Sequence, residues 1–317
     1  MSVEFESVYL DVKRKFILDG VDSFFDKIDA SLSEESDITF ILSSFRQNLF
    51  SAFMVGTIPY QLATKAVLDI RFSQILSAER IRTLRPEGRK IVQDENSEEI
   101  ALENANNSMK EELRDHDVLV NHKRNIIYRL HNYNNSDEID ITFDELLRQV
   151  LVMSWGSFEI FINDVLRESL NRDPSLLNNI SNIKPYKEII SSRNLLEGLR
   201  DYSFDLSKSM GNFLSSIVSL DSIEKMQSAI HSVFEDKALT KKINDVRLRR
   251  IFQQRNLIVH RRGLVDFKYK NRIDDEFVVG EKISFEATYV QDCMALLRDV
   301  GCDVYIAAQK KVFNSNT

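Results

Sequence analysis

The chain has 317 residues, of which 43% are hydrophobic and 29% are charged, and these proportions exclude wholesale disorder. Its nine glycines and four prolines are too few for an all-β protein with many tight turns, so the composition favours helices. The net charge of −7 excludes a protein that coats nucleic acid with its whole surface. We therefore expect a globular, all-α protein.

The first 140 residues are predicted to form a mainly helical N-terminal region. Residues 1–32 carry apolar side chains at helical spacing, which indicates one amphipathic helix or a helix pair. Residues 38–78 are rich in apolar side chains and contain Gly56 and Pro59. That break predicts two flanking helices, although the β-branched content leaves a strand open.

The rest of this region is more polar and ends at a candidate domain boundary. Residues 80–110 are highly charged, which favours a loop that passes into an exposed helix. A further helix is predicted from about 109 to 132. The turn-rich segment 132–140 then predicts a linker. The residues of the N-terminal region (1–140) do not indicate its role.

Residues 141–313 are predicted to form a second, helical domain. A broad apolar stripe follows Asp144 for nearly six turns, and further helices are expected between about 184 and 235. The next helix, roughly 239–262, should stop at Gly263, since glycine suits the left-handed position just past a helix end.

The C-terminal part of this domain is predicted to contain a small β-hairpin and a last helix. Residues 276–286 resemble a short hairpin around a Gly-Glu turn, and an amphipathic helix is expected from about 288 to 311. Residues 314–317 are expected to be disordered.

Cys293 and Cys302 are the only cysteines, and they lie nine residues apart. This spacing matches no zinc clip or redox pair, so we expect no metal and a reducing compartment. The N-terminus lacks the basic start of a signal peptide, and no apolar run reaches the length of a membrane span. The expected location is the cytoplasm, with no membrane association.

One segment of the chain is strongly basic although the net charge of the whole chain is negative. Residues 237–272 contain twelve Lys and Arg against two acidic residues, a local charge of +10 that leaves −17 for the remainder. A basic stretch on an acidic chain is typical of a place where a polyanion docks. The alternative is a solvated helix surface that pairs with acidic neighbours, and charge alone favours neither.

The helix in this basic segment carries the candidate catalytic residues Arg255, Asn256 and His260. Arg255 lies on the apolar stripe between Ile251 and Val259, where an unpaired guanidinium would be costly. An arginine could neutralise a scissile phosphate, a histidine could move a proton, and an asparagine could orient either of them. The alternative is structural, with Arg255 paired to Glu159 and His260 as a cap.

The sequence Arg255-Asn256-Leu257-Ile258-Val259-His260, followed by Gly263-Leu264-Val265-Asp266, resembles the HEPN superfamily, specifically its stand-alone bacterial ribonucleases of the toxin and phage-defence type. Ser157-Phe158-Glu159-Ile160-Phe161 looks like the first helix of that family, whose acidic residue faces the site. The resemblance covers about residues 142–312 and implies a HEPN-like helical bundle.

The resemblance also implies an activity. Such enzymes cut RNA without a metal or other cofactor, by attack of the 2′-hydroxyl, and leave 2′,3′-cyclic phosphate and 5′-hydroxyl ends. Arg255, Asn256 and His260 would be catalytic and Glu159 supporting, while the surrounding arginines would bind RNA, namely Arg249, Arg250, Arg261 and Arg262. The resemblance further implies a homodimer through the helix that bears His260.

Other functions stay open at this point. The chain could be a toxin or antiviral effector that answers to an antitoxin or a phage-derived trigger, or a non-catalytic HEPN module that binds RNA or a protein. A purely structural helical scaffold is a third possibility. A second Arg-to-His spacing, Arg124-Asn125 to His131, lacks the following glycine and the preceding Phe-Glu helix, so we interpret it as coincidence.

Overall fold

The computed structural model describes residues 3–17, 21–32, 36–87, 90–92, 96–133, 137–181, 183, 186–187 and 199–313. The described residues are mainly helical, which confirms the all-α expectation. They fall into two compact units, the first made of 1–18 and 56–144 and the second of 19–55 and 145–317. The segment expected to be disordered at 314–317 lies outside the described residues.

The first unit is built from helices and one short pair of strands. Its elements are α1 (Val3–Lys15), the later part of α3 (Thr39–Thr83), β1 (Arg85–Glu87), β2 (Lys90–Val92), α4 (Ser97–Glu112) and α5 (His116–Tyr133). The strands pair antiparallel, with Pro86 opposite Ile91. The buried core lies between α1, α3 and α5 and consists of Phe5, Val12, Phe16, Ala63, Ile126, Ile127 and Leu130.

The second unit contains the remaining helices that the structure describes. They are α2 (Val21–Leu32), the first part of α3, α6 (Asp137–Arg172, which begins in the first unit), a 3-10 turn (Pro174–Leu176), α7 (Leu177–Ile180), α8 (Met210–Ile217), α9 (Ile223–Phe234), α10 (Lys237–Ile243), α11 (Val246–Arg261), α12 (Phe267–Lys270), α13 (Ala287–Ala308) and a π turn (Gln309–Phe313). Trp155 and Phe158 of α6 are fully buried, and Phe161 stacks on Phe45 of α3 with the ring centroids 4.5 Å apart. Large aromatic side chains therefore fill this core.

Helix α3 corrects the prediction of two helices within residues 38–78. It runs unbroken for 45 residues with Pro59 inside it. A proline in a helix interior removes one backbone hydrogen bond and costs roughly 3 kcal/mol. The helix persists because side chains on both sides of the break are buried, including Phe45 and Phe53 before it and Ala63 after it.

Two predicted helices are each divided by an aspartate. The helix expected at 109–132 is separated into α4 and α5, where the Asp115 carboxylate accepts from the amide of Asp117 at 2.8 Å. The helix expected at 239–262 is separated into α10 and α11, where Asp245 accepts from the amide of Arg247 at 2.8 Å. An aspartate that caps a helix start competes with helix continuation, and composition alone does not reveal the break.

The prediction of a β-hairpin at 276–286 is wrong, since the described residues there pair with a different segment. The turn at Gly280 exists, with φ of 90°. The arm after it bridges to the segment that follows α11, with the amide of Val265 donating to the carbonyl of Glu281 at 2.9 Å. The arm before it is not a strand. Backbone groups just past a helix end need partners, and this pairing supplies them.

The linker predicted at 132–140 is helical from Asp137 onward, and residues 134–136 lie outside the described part of the chain. Much of 184–198, where a helix was expected, also lies outside it. Of the two alternatives for residues 1–32, one helix or a helix pair, the structure has the pair, α1 and α2. Among the helices that the structure describes, none combines the length and apolar character needed to cross a membrane.

Candidate active site on helix α11

The end of α11 fixes where the candidate residues lie. Arg262 and Gly263 are both left-handed, with φ of 56° and 78°. The amide of Gly263 donates to the carbonyl of Leu257 at 3.0 Å, which closes the last turn. This is the left-handed helix stop that the glycine predicts, extended by one non-glycine residue. His260 therefore lies in the final turn, at an abrupt end of the helix.

A buried arginine of α6 donates hydrogen bonds to the segment that pairs with the chain after α11. Arg148 is 2% exposed, and its Nη1 donates to the carbonyl oxygen of Ile283 at 2.9 Å. The amide of Ile283 in turn donates to the carbonyl of Gly263 at 2.8 Å. Arg148 also donates from Nε and Nη2 to Glu145, at 3.0 and 2.9 Å. These bonds connect α6 to Gly263, the second residue after the candidate catalytic helix.

Glu145 is the charge that balances this arginine. Hydrogen bonds from Gln149, and then from Lys282 and Arg148, lower the pKa of Glu145 to about 2 against the opposing effect of burial. Its Oε2 accepts from both Arg148 and Lys282, at 2.9 and 3.0 Å. The carboxylate is thus held in its charged form by several donors.

Arg255 faces α6. Its Nη2 lies 3.7 Å from Oε2 of Glu159, and the two side chains are 25% and 28% exposed. Its Nη1 donates to Oδ1 of Asn256 at 2.9 Å. The Nε is buried and has no hydrogen-bond partner among the described residues. Arg255 therefore has one distant carboxylate, one amide partner and one unused buried donor.

His260 and Asn256 face a cavity of about 270 Å³. The cavity also contains three basic side chains, two of which follow the helix end, and its lining residues are Gln253, Asn256, Leu257, His260, Arg261, Asp266, Lys268, Tyr269 and Arg272. Arg261 lies 3.7 Å from Asp266, whereas no carboxylate partner of Lys268 or Arg272 is found among the described residues. The cavity thus joins a histidine, an amide and an excess of positive charge.

Arg255 is not among the residues that line this cavity, so the three predicted catalytic residues are brought together only through Asn256. Asn256 lines the cavity with His260 and accepts the hydrogen bond of Arg255. Residues five apart on a helix lie well separated around its axis, which accounts for the different directions of Arg255 and His260. Val259, placed on the apolar stripe by spacing, is 47% exposed.

The four arginines predicted to bind RNA lie in different places. Arg261 lines the His260 cavity, while Arg249 and Arg262 are exposed on the surface. Arg250 instead lines a separate cavity of about 490 Å³, together with Asp292 of α13. Only Arg261 therefore shares the cavity of His260.

Lys268 and Arg272 were not predicted as site residues. Both follow the turn after α11, and Lys268 belongs to the short helix α12. Their one signal in the sequence is membership of the basic segment 237–272, which does not say where the chain turns.

The basic segment 237–272 contains both paired and unpaired cations. Five of its twelve Lys and Arg side chains have a carboxylate within ion-pair distance, namely Lys242, Arg247, Arg255, Arg261 and Lys270. For the other seven no ion pair is found in the described part of the chain. The segment thus retains a local excess of positive charge.

Among the described residues, the side chains of the second Arg-to-His spacing do not converge on one site. The Arg124 guanidinium lies over the ring of Phe5, 5.2 Å from its centroid. The Nδ1 of His131 lies 3.2 Å from Oδ2 of Asp11. Both side chains therefore attach α5 to α1, which agrees with the interpretation of this spacing as coincidence.

Within the described residues, no group of three or more His, Cys, Asp or Glu side chains is arranged to hold a metal ion. Comparisons of the chain with protein-family models, with curated proteins and with solved structures find no match. The candidate site is therefore described by its own geometry alone.

Proposed function

We propose that the second unit carries a HEPN-type, metal-independent endoribonuclease that acts as a toxin or antiviral-defence effector. The observation that carries the proposal is the cavity in which His260 and Asn256 face Arg261, Lys268 and Arg272. A polyanion that enters this cavity meets both cations and a titratable side chain.

The cavity offers a proton-transfer group and cations for the reaction. The 2′-oxygen of a ribose attacks the adjacent phosphorus while its proton passes to a base, and the bond from phosphorus to the 5′-oxygen breaks. That oxygen takes a proton, which gives a 5′-hydroxyl and a 2′,3′-cyclic phosphate. His260 is suited to move these protons, and the cations to stabilise the charge on the phosphate oxygens.

The proposed dimer would complete the site. Exposed apolar side chains surround the His260 end of α11, among them Val259, Leu264 and Phe267, which are 47%, 49% and 74% exposed. Such a patch beside a charged cavity is typical of an interface. An isologous dimer through this face would bring two basic segments to one RNA.

A second function, a non-catalytic module that binds RNA or a protein partner, is favoured by the placement of Arg255. Its guanidinium faces Glu159 rather than the cavity, as a structural ion pair would. Under this alternative the cations of the cavity hold RNA and no bond is cut. An antitoxin or a phage-derived trigger could control the protein under either function.

The test is cleavage of end-labelled RNA by the purified chain in EDTA. We expect cleavage by the native protein, and its loss in His260→Ala and in Arg255→Ala, which removes the donor that holds Asn256 of the cavity. Arg114→Ala is the matched control, since it removes an exposed arginine of the first unit, outside the cavity, and should leave cleavage almost unchanged. RNA that stays intact but is retained by the folded protein would favour the binding module.

A further inference from the structure

A cleft in the first unit, between α3 and α5, has the features of a small-ligand site. We call it the α3–α5 cleft, and its volume is about 250 Å³. Its lining residues recur three and four apart on each helix, so each helix presents one face to it: Val67, Ile70, Arg71 and Gln74 from α3, and His122, Asn125 and Arg129 from α5. None of them lines the His260 cavity.

His122 provides the observation that indicates a ligand. The residue is 8% exposed, and its Nε2 is buried with no hydrogen-bond partner among the described residues. A buried ring nitrogen without a partner is unfavourable, and most such groups are satisfied by protein, water or ligand. Because His122 lines the cleft, a rotation of its ring towards the cleft would let a ligand atom there provide the partner.

The cations of the cleft favour an anion. The Nε of Arg129 donates to the hydroxyl of Tyr133 at 2.9 Å, and the guanidinium lies 5.8 Å from the centroid of that ring. Its two terminal nitrogens have no acceptor in the described part of the chain. Arg71, by contrast, donates from Nε to Glu112 at 2.9 Å, so its charge is balanced. The net positive charge therefore resides on Arg129, which Tyr133 holds in place.

We propose that the α3–α5 cleft binds a small phosphate monoester. The phosphate would accept hydrogen bonds from Arg129, from His122 and from the amide of Asn125. A phosphate has three terminal oxygens to accept from three donors along one helix face, whereas a carboxylate has two. The apolar side formed by Val67 and Ile70 would receive the organic part of the ligand. The volume limits that ligand to about the size of one nucleotide.

The experiment is a titration followed by the imidazole resonances of the five histidines, with His122 assigned from His122→Gln. The probes are inorganic phosphate and adenosine 5′-monophosphate, added to the full chain. We expect both to shift the His122 signal saturably, with the monophosphate acting at lower concentration. Because His260 has its own signal, phosphate entering the other cavity is recorded separately.

Two arginines of α5 provide a matched comparison. Arg129→Gln should lower the affinity for adenosine 5′-monophosphate, measured at the His122 signal, by about tenfold or more, since it removes the cation that has no carboxylate partner among the described residues. Arg124→Gln removes an arginine that lies over Phe5, outside the cleft, and should leave the affinity unchanged. Should Arg129→Gln fail to fold, Asn125→Ala changes an exposed residue of the same cleft and should also weaken binding.

The other outcomes each overturn the proposal. Binding of inorganic phosphate alone would assign the cleft to the free ion and reject the monoester. No shift at His122 with either probe, or equal losses in Arg124→Gln and Arg129→Gln, would reject the site itself. A negative result here leaves the ribonuclease proposal untouched, since that proposal depends on His260 in a different unit.

Discussion

Arg148 is expected to stabilise the second unit strongly, and Arg148→Met tests this. The change keeps the buried apolar stem but removes the donors to Ile283 and Glu145. A charge-assisted hydrogen bond to a buried carbonyl contributes about 1.5–3 kcal/mol. The ion pair adds at most about 1 kcal/mol, because Glu145 is 44% exposed. We therefore expect a loss of about 3 kcal/mol in the free energy of unfolding.

The assay is urea unfolding followed by tryptophan fluorescence. The sequence has a single tryptophan, Trp155, which is fully buried in the second unit, so the signal reports on that unit. Gln149→Ala is the matched control, since it removes an exposed donor to the same carboxylate and should cost less than about 0.5 kcal/mol. A loss below about 1 kcal/mol in Arg148→Met would refute the role given to this arginine.

Three further outcomes are expected. The folded-state pKa of Glu145 lies at about 2, below its usual 4.5. The stability that its charge contributes is therefore complete above pH 4.5 and is lost as the pH falls towards 2. Urea midpoints measured across that pH range should fall less in Glu145→Gln than in the native protein. Gly211→Ala should destabilise the protein strongly in thermal unfolding, because the new Cβ would lie 1.8 Å from the carbonyl oxygen of Arg167. In Gly156→Ala the new Cβ meets no atom of the described residues within 4 Å, so this change should stabilise α6 by about 0.5–1 kcal/mol. Lys268→Ala should weaken RNA binding and lower the slope of log affinity against log salt by about 1 in filter-binding titrations, and an unchanged slope would place RNA elsewhere.

The local features of α11 could be predicted from the sequence because they depend on neighbouring residues. The stop at Gly263 follows from the conformational freedom of glycine, and the structure has it in the left-handed region. The pairing of Arg255 with Glu159 was considered from the need to balance a half-buried guanidinium, and the two lie 3.7 Å apart. Side-chain chemistry and helical spacing together were enough for both.

The features that depend on chain reversal could not be predicted in the same way. Residues 276–286 have the alternation of a hairpin, yet one arm pairs with the segment after Gly263. Lys268 enters the His260 cavity only because the chain turns there. Arg148 is far from this cavity in sequence, and its bond to Ile283 spans 135 residues. Such contacts are set by tertiary packing, which no local pattern encodes.

The central claim is that the chain cuts RNA by attack of the ribose 2′-hydroxyl with His260 as the proton-transfer group. The most direct test maps one cleavage site in an RNA and compares that RNA with a copy that carries a single 2′-deoxy sugar there, both incubated with the native protein and with His260→Ala in EDTA. We predict cleavage only of the all-ribose RNA by the native protein, with a 2′,3′-cyclic phosphate on the upstream product. Cleavage of the deoxy copy at the same bond, or undiminished cleavage by His260→Ala, would contradict this mechanism.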